Sequence, residues 1–170
     1  MALHSPDYLK ILRNSYSNSS IARLARISAC STAWPVPNMT ILVIEDSRLM
    51  RSTMERILVK AGHAVIAVGD GEEGLRRAQQ MHPDMILLDM MLPTLEGTGV
   101  LRELKQNPLT KLIPVIVLSG LAQKNEKKLK MAGAAAYFEK SKLDVENDGP
   151  ALVQVVENCR VDQTASAVVS

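Results

Sequence analysis

The stretch Asp84-Met85-Ile86-Leu87-Leu88-Asp89-Met90-Met91-Leu92-Pro93 constrains this chain more than any other. Met85 to Leu88 run without a polar break and then stop at a carboxylate. A run that short and continuous suits a strand buried on both faces, as in a parallel sheet covered by helices. In such a sheet, chemistry collects beyond the carboxyl ends of the strands. Asp89 taken alone reads as a turn former. Its weight changes because three other apolar runs also end on chemically useful residues. Thr40 to Ile44 precede Glu45-Asp46, Pro114 to Leu118 precede Ser119, and Ala134 to Glu139 precede Lys140.

Helical patterns join these runs. Ser47 is placed to cap a helix whose Leu49, Met50, Thr53, Met54, Ile57 and Leu58 recur on one face, and Gly62 is placed to end it. His63 to Val68 reads as a second, less buried strand. Asp70 with Glu73 makes a capping-box pattern for a helix running to about Gln80, which Pro83 bars from continuing. Further helices are expected from Gly97 to Lys105, from Lys124 to Ala132, and from Gly149 to Arg160, the last with Leu152, Val155, Val156 and Cys159 on one face. Strands alternating with helices in this way predict an α/β fold. The expected form is a doubly wound, flavodoxin-like (βα)5 domain with a five-stranded parallel sheet in the order 2-1-3-4-5.

Length and composition set the limits. The 170 residues suffice for one domain with tails. With one Trp, one Phe and three Tyr, the core must be aliphatic. No apolar run approaches the roughly 20 residues that span a bilayer. Cys30 and Cys159 sit in no CxxC pattern, which suits a reducing, cytoplasmic compartment, and His4, His63 and His82 lack metal-ligand spacing.

The net charge of +2 misleads about partners. Residues 1–38 hold Lys10, Arg13, Arg23 and Arg26 against Asp7, while the remainder carries 16 basic and 17 acidic residues. Nothing in the body of the chain argues for nucleic-acid binding. The Ser- and Asn-rich residues 1–38 are open to three readings: a transit peptide, an interaction tail, or translation from an upstream start. The last is favoured, because Met39 stands directly before a well-formed strand. The expected division is therefore 1–38 as an extension, 39–161 as the domain and 162–170 as a disordered tail.

In the expected topology, the first and third strands are neighbours, so Glu45, Asp46 and Asp89 converge. Three carboxylates in a small volume repel one another unless a cation is present. A hard dication that keeps several waters, such as Mg²⁺, resolves the conflict. Ser119 adds a hydroxyl and Lys140 an ammonium. A metal, a hydroxyl and a lysine around one carboxylate are what a phosphoryl group in transfer requires, with Asp89 as the nucleophile.

These motifs together resemble the receiver domain of bacterial two-component response regulators, over residues 40 to about 160. The resemblance rests on Glu45-Asp46, Asp89-Met90-Met91-Leu92-Pro93, Ser119-Gly120 and Tyr137-Phe138-Glu139-Lys140. It implies that Asp89 accepts a phosphoryl group from a histidine kinase or a histidine phosphotransfer protein. It implies Mg²⁺ held by Asp46 and Asp89, by Glu45 through water, and by the backbone carbonyl of Met91. Ser119 and Lys140 would contact the phosphoryl oxygens, and Tyr137 would be the aromatic switch. The output would be a protein bound on the face made by the fourth helix, the fifth strand and the fifth helix, with a phosphorylation-dependent homodimer left open. The lysines of the fourth helix, Lys124, Lys127, Lys128 and Lys130, lie on that face and suit either solvent or an acidic partner.

The chain departs from the family's pattern in two ways. Ser141 follows the lysine where proline is usual. Met91 and Leu121 stand where polar groups commonly orient an attacking water, so slow self-dephosphorylation is expected. With 30 residues after Lys140, the reading is a stand-alone, non-enzymatic receiver in phosphorelay signalling. The alternatives are a small Mg²⁺-dependent phosphohydrolase, disfavoured by Met91 where a second acid would protonate the leaving group, and a phosphorylation-independent interaction module. The stretch Gly69-Asp70-Gly71-Glu72-Glu73-Gly74 also satisfies a dinucleotide-binding pattern. Asp70, Glu72 and Glu73 would set negative charge where a pyrophosphate must sit, so no nucleotide site is expected there.

Overall fold

The computed structural model describes residues 38–120, 126–143 and 149–167, with side chains undescribed at 126, 127 and 161–167. Expectations for residues 1–37, Leu121, Lys124 and the Lys127 side chain lie outside that description. In chain order the elements are β1 (Thr40–Ile44), α1 (Arg48–Lys60), β2 (Ala64–Val68), α2 (Gly71–Met81), β3 (Met85–Asp89), α3 (Gly97–Gln106), β4 (Val115–Ser119), α4 (Glu126–Met131), β5 (Ala136–Glu139), a 3-10 turn (Lys140–Lys142) and α5 (Pro150–Ala167). The strands form one parallel sheet in the order β2-β1-β3-β4-β5, as the sequence predicts.

Strand alternation sends successive side chains to opposite faces and so builds two cores. Ile41, Val43, Met85, Leu87, Ile116, Leu118 and Phe138 face α1 and α5, where Met54, Ile57, Leu58, Leu152 and Val156 meet them. Leu42, Ile44, Ile86, Leu88, Val115 and Val117 face the other way, against Ala78, Val100, Leu101, Leu104 and Leu129 of α2, α3 and α4. Each buried aliphatic side chain contributes on the order of 2 kcal/mol.

The helix ends follow from local chemistry. The Ser47 hydroxyl accepts from the Met50 N–H at 3.5 Å, and α1 ends on Gly62 at φ +92°. There the Gly62 N–H donates to the Val59 carbonyl and the His63 N–H to that of Leu58, the paired closure that a left-handed glycine permits. Asp70 caps α2 through the Glu73 N–H at 2.9 Å. Glu73 does not complete a capping box; Arg76 and Arg77 take its carboxylate at 2.6–2.7 Å.

Three expectations change. The second strand starts at Ala64 rather than His63, and it is an edge strand only in pairing. Its Ala64, Val65, Ile66 and Val68 are buried, because helices cover both faces. The last helix continues past Arg160 to Ala167. No Gly or Pro follows Pro150 to stop it, and Gln163, Ala165 and Ala167 sustain a helix well enough. The fifth strand begins at Ala136 rather than Ala134.

Candidate functional site

The sheet register sets the site out as a staircase. Leu88 pairs with Ile44, so Asp89 ends β3 directly beside Glu45 and Asp46, which follow β1. Asp89 aligns with Leu118 of β4, which puts Ser119 one step further on. Ser119 aligns with Glu139 of β5, and Lys140 lies one step beyond that. All five predicted side-chain contributors therefore lie at the carboxyl end of the sheet.

Glu45 and Asp89 are almost fully enclosed, at 0% and 1% exposure, whereas Asp46 is exposed. Each of the three can bring one carboxylate oxygen to within 4.8 Å of the others. Lys140 Nζ bridges the two enclosed acids, 2.7 Å from Glu45 Oε2 and 2.8 Å from Asp89 Oδ2. The other oxygen of each is held by backbone. Asp89 Oδ1 accepts from the Met91 N–H at 3.1 Å and Glu45 Oε1 from the Ser47 N–H at 3.3 Å.

The electrostatics follow from this crowding. Burial pushes the Glu45 carboxyl above its ordinary value, and Asp89 adds to the push; Lys140 opposes it without winning. Burial alone would pull the Lys140 ammonium down, but its hydrogen bonds and charge contacts with Asp89 and Glu45 leave it raised. Among the described residues Lys140 is the one cation ion-paired within this group of three carboxylates, two of which are out of water. An added hard dication fits that donor set of carboxylate oxygens.

The other predicted positions divide. Ser119 is half-buried at the end of β4. Tyr137 is half-buried too, packing on the core cluster of Val115 and Val117 and lining a surface hollow of about 250 Å³ with Phe138, Lys142, Ala151 and Val155. Met91 points outward, 70% exposed. Ser141, in place of the expected proline, starts a single 3-10 turn: its hydroxyl lies 2.6 Å from Glu139 Oε1 and the Leu143 N–H closes on the Lys140 carbonyl at 3.1 Å.

The family model for the response regulator receiver domain matches residues 41–158. The chain belongs to the response regulator receiver family. It is 38% identical over 146 residues to a gliding motility regulatory protein of Myxococcus xanthus, covering 85% of this chain but 17% of that one. It is 31% identical to the polar-differentiation response regulator DivK of Brucella ovis, over 59% of this chain and 83% of the relative. Among solved structures, a receiver domain of a sensor histidine kinase from Pseudomonas aeruginosa PAO1, with magnesium coordinated in its active-site cleft, matches with a TM-score of 0.56 and 30% identity. That match covers 60% of this chain and 84% of the other. Receiver domains are signalling domains of two-component systems, phosphorylated by histidine kinases or phosphotransfer proteins. Among the described residues, no helix is long and apolar enough to cross a membrane.

Two contributors to this receiver's site escaped the sequence reading. Gly97, at the start of α3, sits so close to β3 that a Cβ there would collide with the Asp89 carbonyl oxygen and lie 2.6 Å from Met90 Cα. Arg51 donates from Nη1 to the carbonyls of Glu45 and Asp46 at 2.7 and 3.0 Å. A glycine at the opening of a helix signals close packing, and could have been found; Arg51 looks like any exposed-face arginine of an amphipathic helix. The glycines of the dinucleotide-like stretch also have packing uses. A Cβ on Gly71 would lie 2.7 Å from Val100 Cγ2, and one on Gly74 would collide with Ile44 Cδ1. They let α2 sit down on α3 and β1, and Asp70 fills the helix end where a phosphate would bind.

Proposed function

We propose that this receiver takes a phosphoryl group onto Asp89 from a phosphohistidine donor and passes the signal on through a change of its β5 surface. The observation that carries the reading is the Lys140 bridge. A lysine brought across the carboxyl end of the sheet to an enclosed Asp89 lies where a phosphoryl oxygen would need a counter-charge. In the transfer, a carboxylate oxygen of Asp89 forms a bond to phosphorus as the donor's P–N bond breaks. The electron pair of that bond leaves with the imidazole.

Mg²⁺, when bound, offsets the charge that builds on the transferred oxygens. Asp46 and Asp89 would hold it directly, Glu45 through water, and Met91 through its carbonyl. Before transfer, Lys140 and the Met91 N–H keep the Asp89 carboxyl fixed in place. Afterwards, Lys140 and Ser119 would hold the new phosphoryl oxygens. The phosphoryl group adds about two negative charges, which draw Ser119 and let Tyr137 turn into the space beside β4. An output partner would read the β5 face, around the hollow lined by Phe138, Lys142 and Val155.

Borohydride reduction tests the acceptor. An aspartyl phosphate is reduced to homoserine, which peptide mass mapping locates. Homoserine at position 89 after treatment with a phosphodonor, and nowhere in Asp89→Asn, supports the reading. Homoserine at Asp46 or at no position would overturn it.

A further inference from the structure

We propose that Arg51 is a positioning residue for the carboxylate site, seated through an opening that Gly69 provides. This inference rests on the reading that the site binds Mg²⁺. Asp46 is the one exposed acid of the three, so packing does not hold its side chain. Its direction must come from the backbone. Arg51 Nη1 donates to the Glu45 carbonyl at 2.7 Å and to the Asp46 carbonyl at 3.0 Å. Those two carbonyls belong to the peptide planes on either side of Asp46. With both planes held, φ and ψ of Asp46 are held, and its Cα–Cβ direction with them.

The surrounding contacts support the clamp. The Glu45 N–H donates to the Val68 carbonyl at 3.1 Å, tying the acidic loop to the end of β2. The Arg51 N–H donates to the Ser47 carbonyl at 2.9 Å, so the arginine stands at the first turn of α1, under the loop it clamps. Gly69 follows Val68, and a Cβ built on it would lie 3.3 Å from Arg51 Nη1 and 3.7 Å from Cζ. An alanine would press on the guanidinium, and a branched side chain would displace it. Of the three glycines in the dinucleotide-like stretch, Gly71 and Gly74 have apolar side chains as their nearest neighbours, whereas Gly69 faces the Arg51 guanidinium. The clamp accounts for it. A lysine could serve one carbonyl but lacks the planar set of donors that reaches both.

The test is Mg²⁺ titration calorimetry on the full chain, for the parent, Arg51→Met, Arg51→Lys, Gly69→Val and the double variant Arg51→Met with Gly69→Val. Unfolding in urea without Mg²⁺ reports the fold separately. Groups that orient metal ligands typically carry about 10- to 100-fold in affinity. We expect about tenfold weaker Mg²⁺ binding in Arg51→Met and in Gly69→Val, partial recovery in Arg51→Lys, and a double variant no weaker than Arg51→Met alone. Should Arg51→Met not fold, Arg51→Lys and Gly69→Val decide by the same measure. Parent-like affinity in folded Arg51 variants, or losses that multiply in the double variant, would overturn the clamp. A parent that takes up no Mg²⁺ would overturn the reading of the site, and the clamp with it.

Discussion

Lys140 reaches Asp89 across an intervening strand: its Nζ lies 2.8 Å from Asp89 Oδ2, although β4 separates β5 from β3. The same ammonium lies 2.7 Å from Glu45 Oε2, and it is 18% exposed against 0% and 1% for its partners. Removing it leaves two enclosed carboxylates without their counter-charge. Losing one side of a buried ion pair costs about 3–5 kcal/mol, and the open mouth of this site puts the loss at the lower end. Lys140→Met should therefore lower urea stability at neutral pH by about 3 kcal/mol without Mg²⁺. Added Mg²⁺ should stabilise the variant more than the parent. Equal Mg²⁺ effects in both would contradict the account.

Gly97 sets how close α3 stands to the end of β3. A methyl there would meet the Asp89 carbonyl oxygen and Met90 Cα, both backbone atoms that cannot rotate away. Gly97→Ala should destabilise by about 1–3 kcal/mol, the range for forcing extra volume into a packed site. It should also slow phosphoryl uptake by displacing the turn after Asp89. Urea unfolding and the rate of adduct formation check the two effects. An Ala variant as stable as the parent would show that α3 has slack.

His63 gives the fold a pH dependence at the end of the sheet away from the site. It is fully buried, and neither ring nitrogen has a hydrogen bond; Glu157 Oε1 lies 3.6 Å from Nε2. Burial holds its pKa below the ordinary 6.5, with Glu157 pulling up and Arg160 pushing down. The unfolded chain therefore takes a proton at a pH where the folded one refuses it. Its contribution is present above about pH 6.5 and is lost as pH falls through the lower folded value. His63→Phe should flatten the fall in urea midpoint between about pH 7 and 5.5. An unchanged slope would place the acid sensitivity elsewhere.

On the proposed function, Met91 would bear on the lifetime of the phosphorylated state. It is 70% exposed, and its side chain has no group to orient a water toward phosphorus. Met91→Asn should shorten the lifetime of the adduct several-fold, followed as loss of the phosphoryl mass in the presence of Mg²⁺. Rapid loss from the parent, unchanged in Met91→Asn, would contradict slow self-dephosphorylation.

The sheet was legible because its strands are uninterrupted apolar runs that end on polar residues, and the end of each run marked the site. Glu45, Asp46, Asp89, Ser119 and Lys140 could be placed together from strand order alone. What stayed hidden depends on distances across elements. Arg51 works through backbone carbonyls, which carry no residue-type signal, and His63 looked like a strand residue because burial does not show in its neighbours. The end of α5 was misjudged because small polar residues read as a tail, although nothing after Pro150 stops a helix.

The proposed function makes Asp89 a Mg²⁺-dependent phosphoryl acceptor. Intact mass after incubation with acetyl phosphate tests it most directly, with and without Mg²⁺, in the parent and in Asp89→Asn. A gain of one phosphoryl group is expected in the parent with Mg²⁺, and none in the variant or without the metal. A gain in Asp89→Asn, or one that does not depend on Mg²⁺, would contradict it.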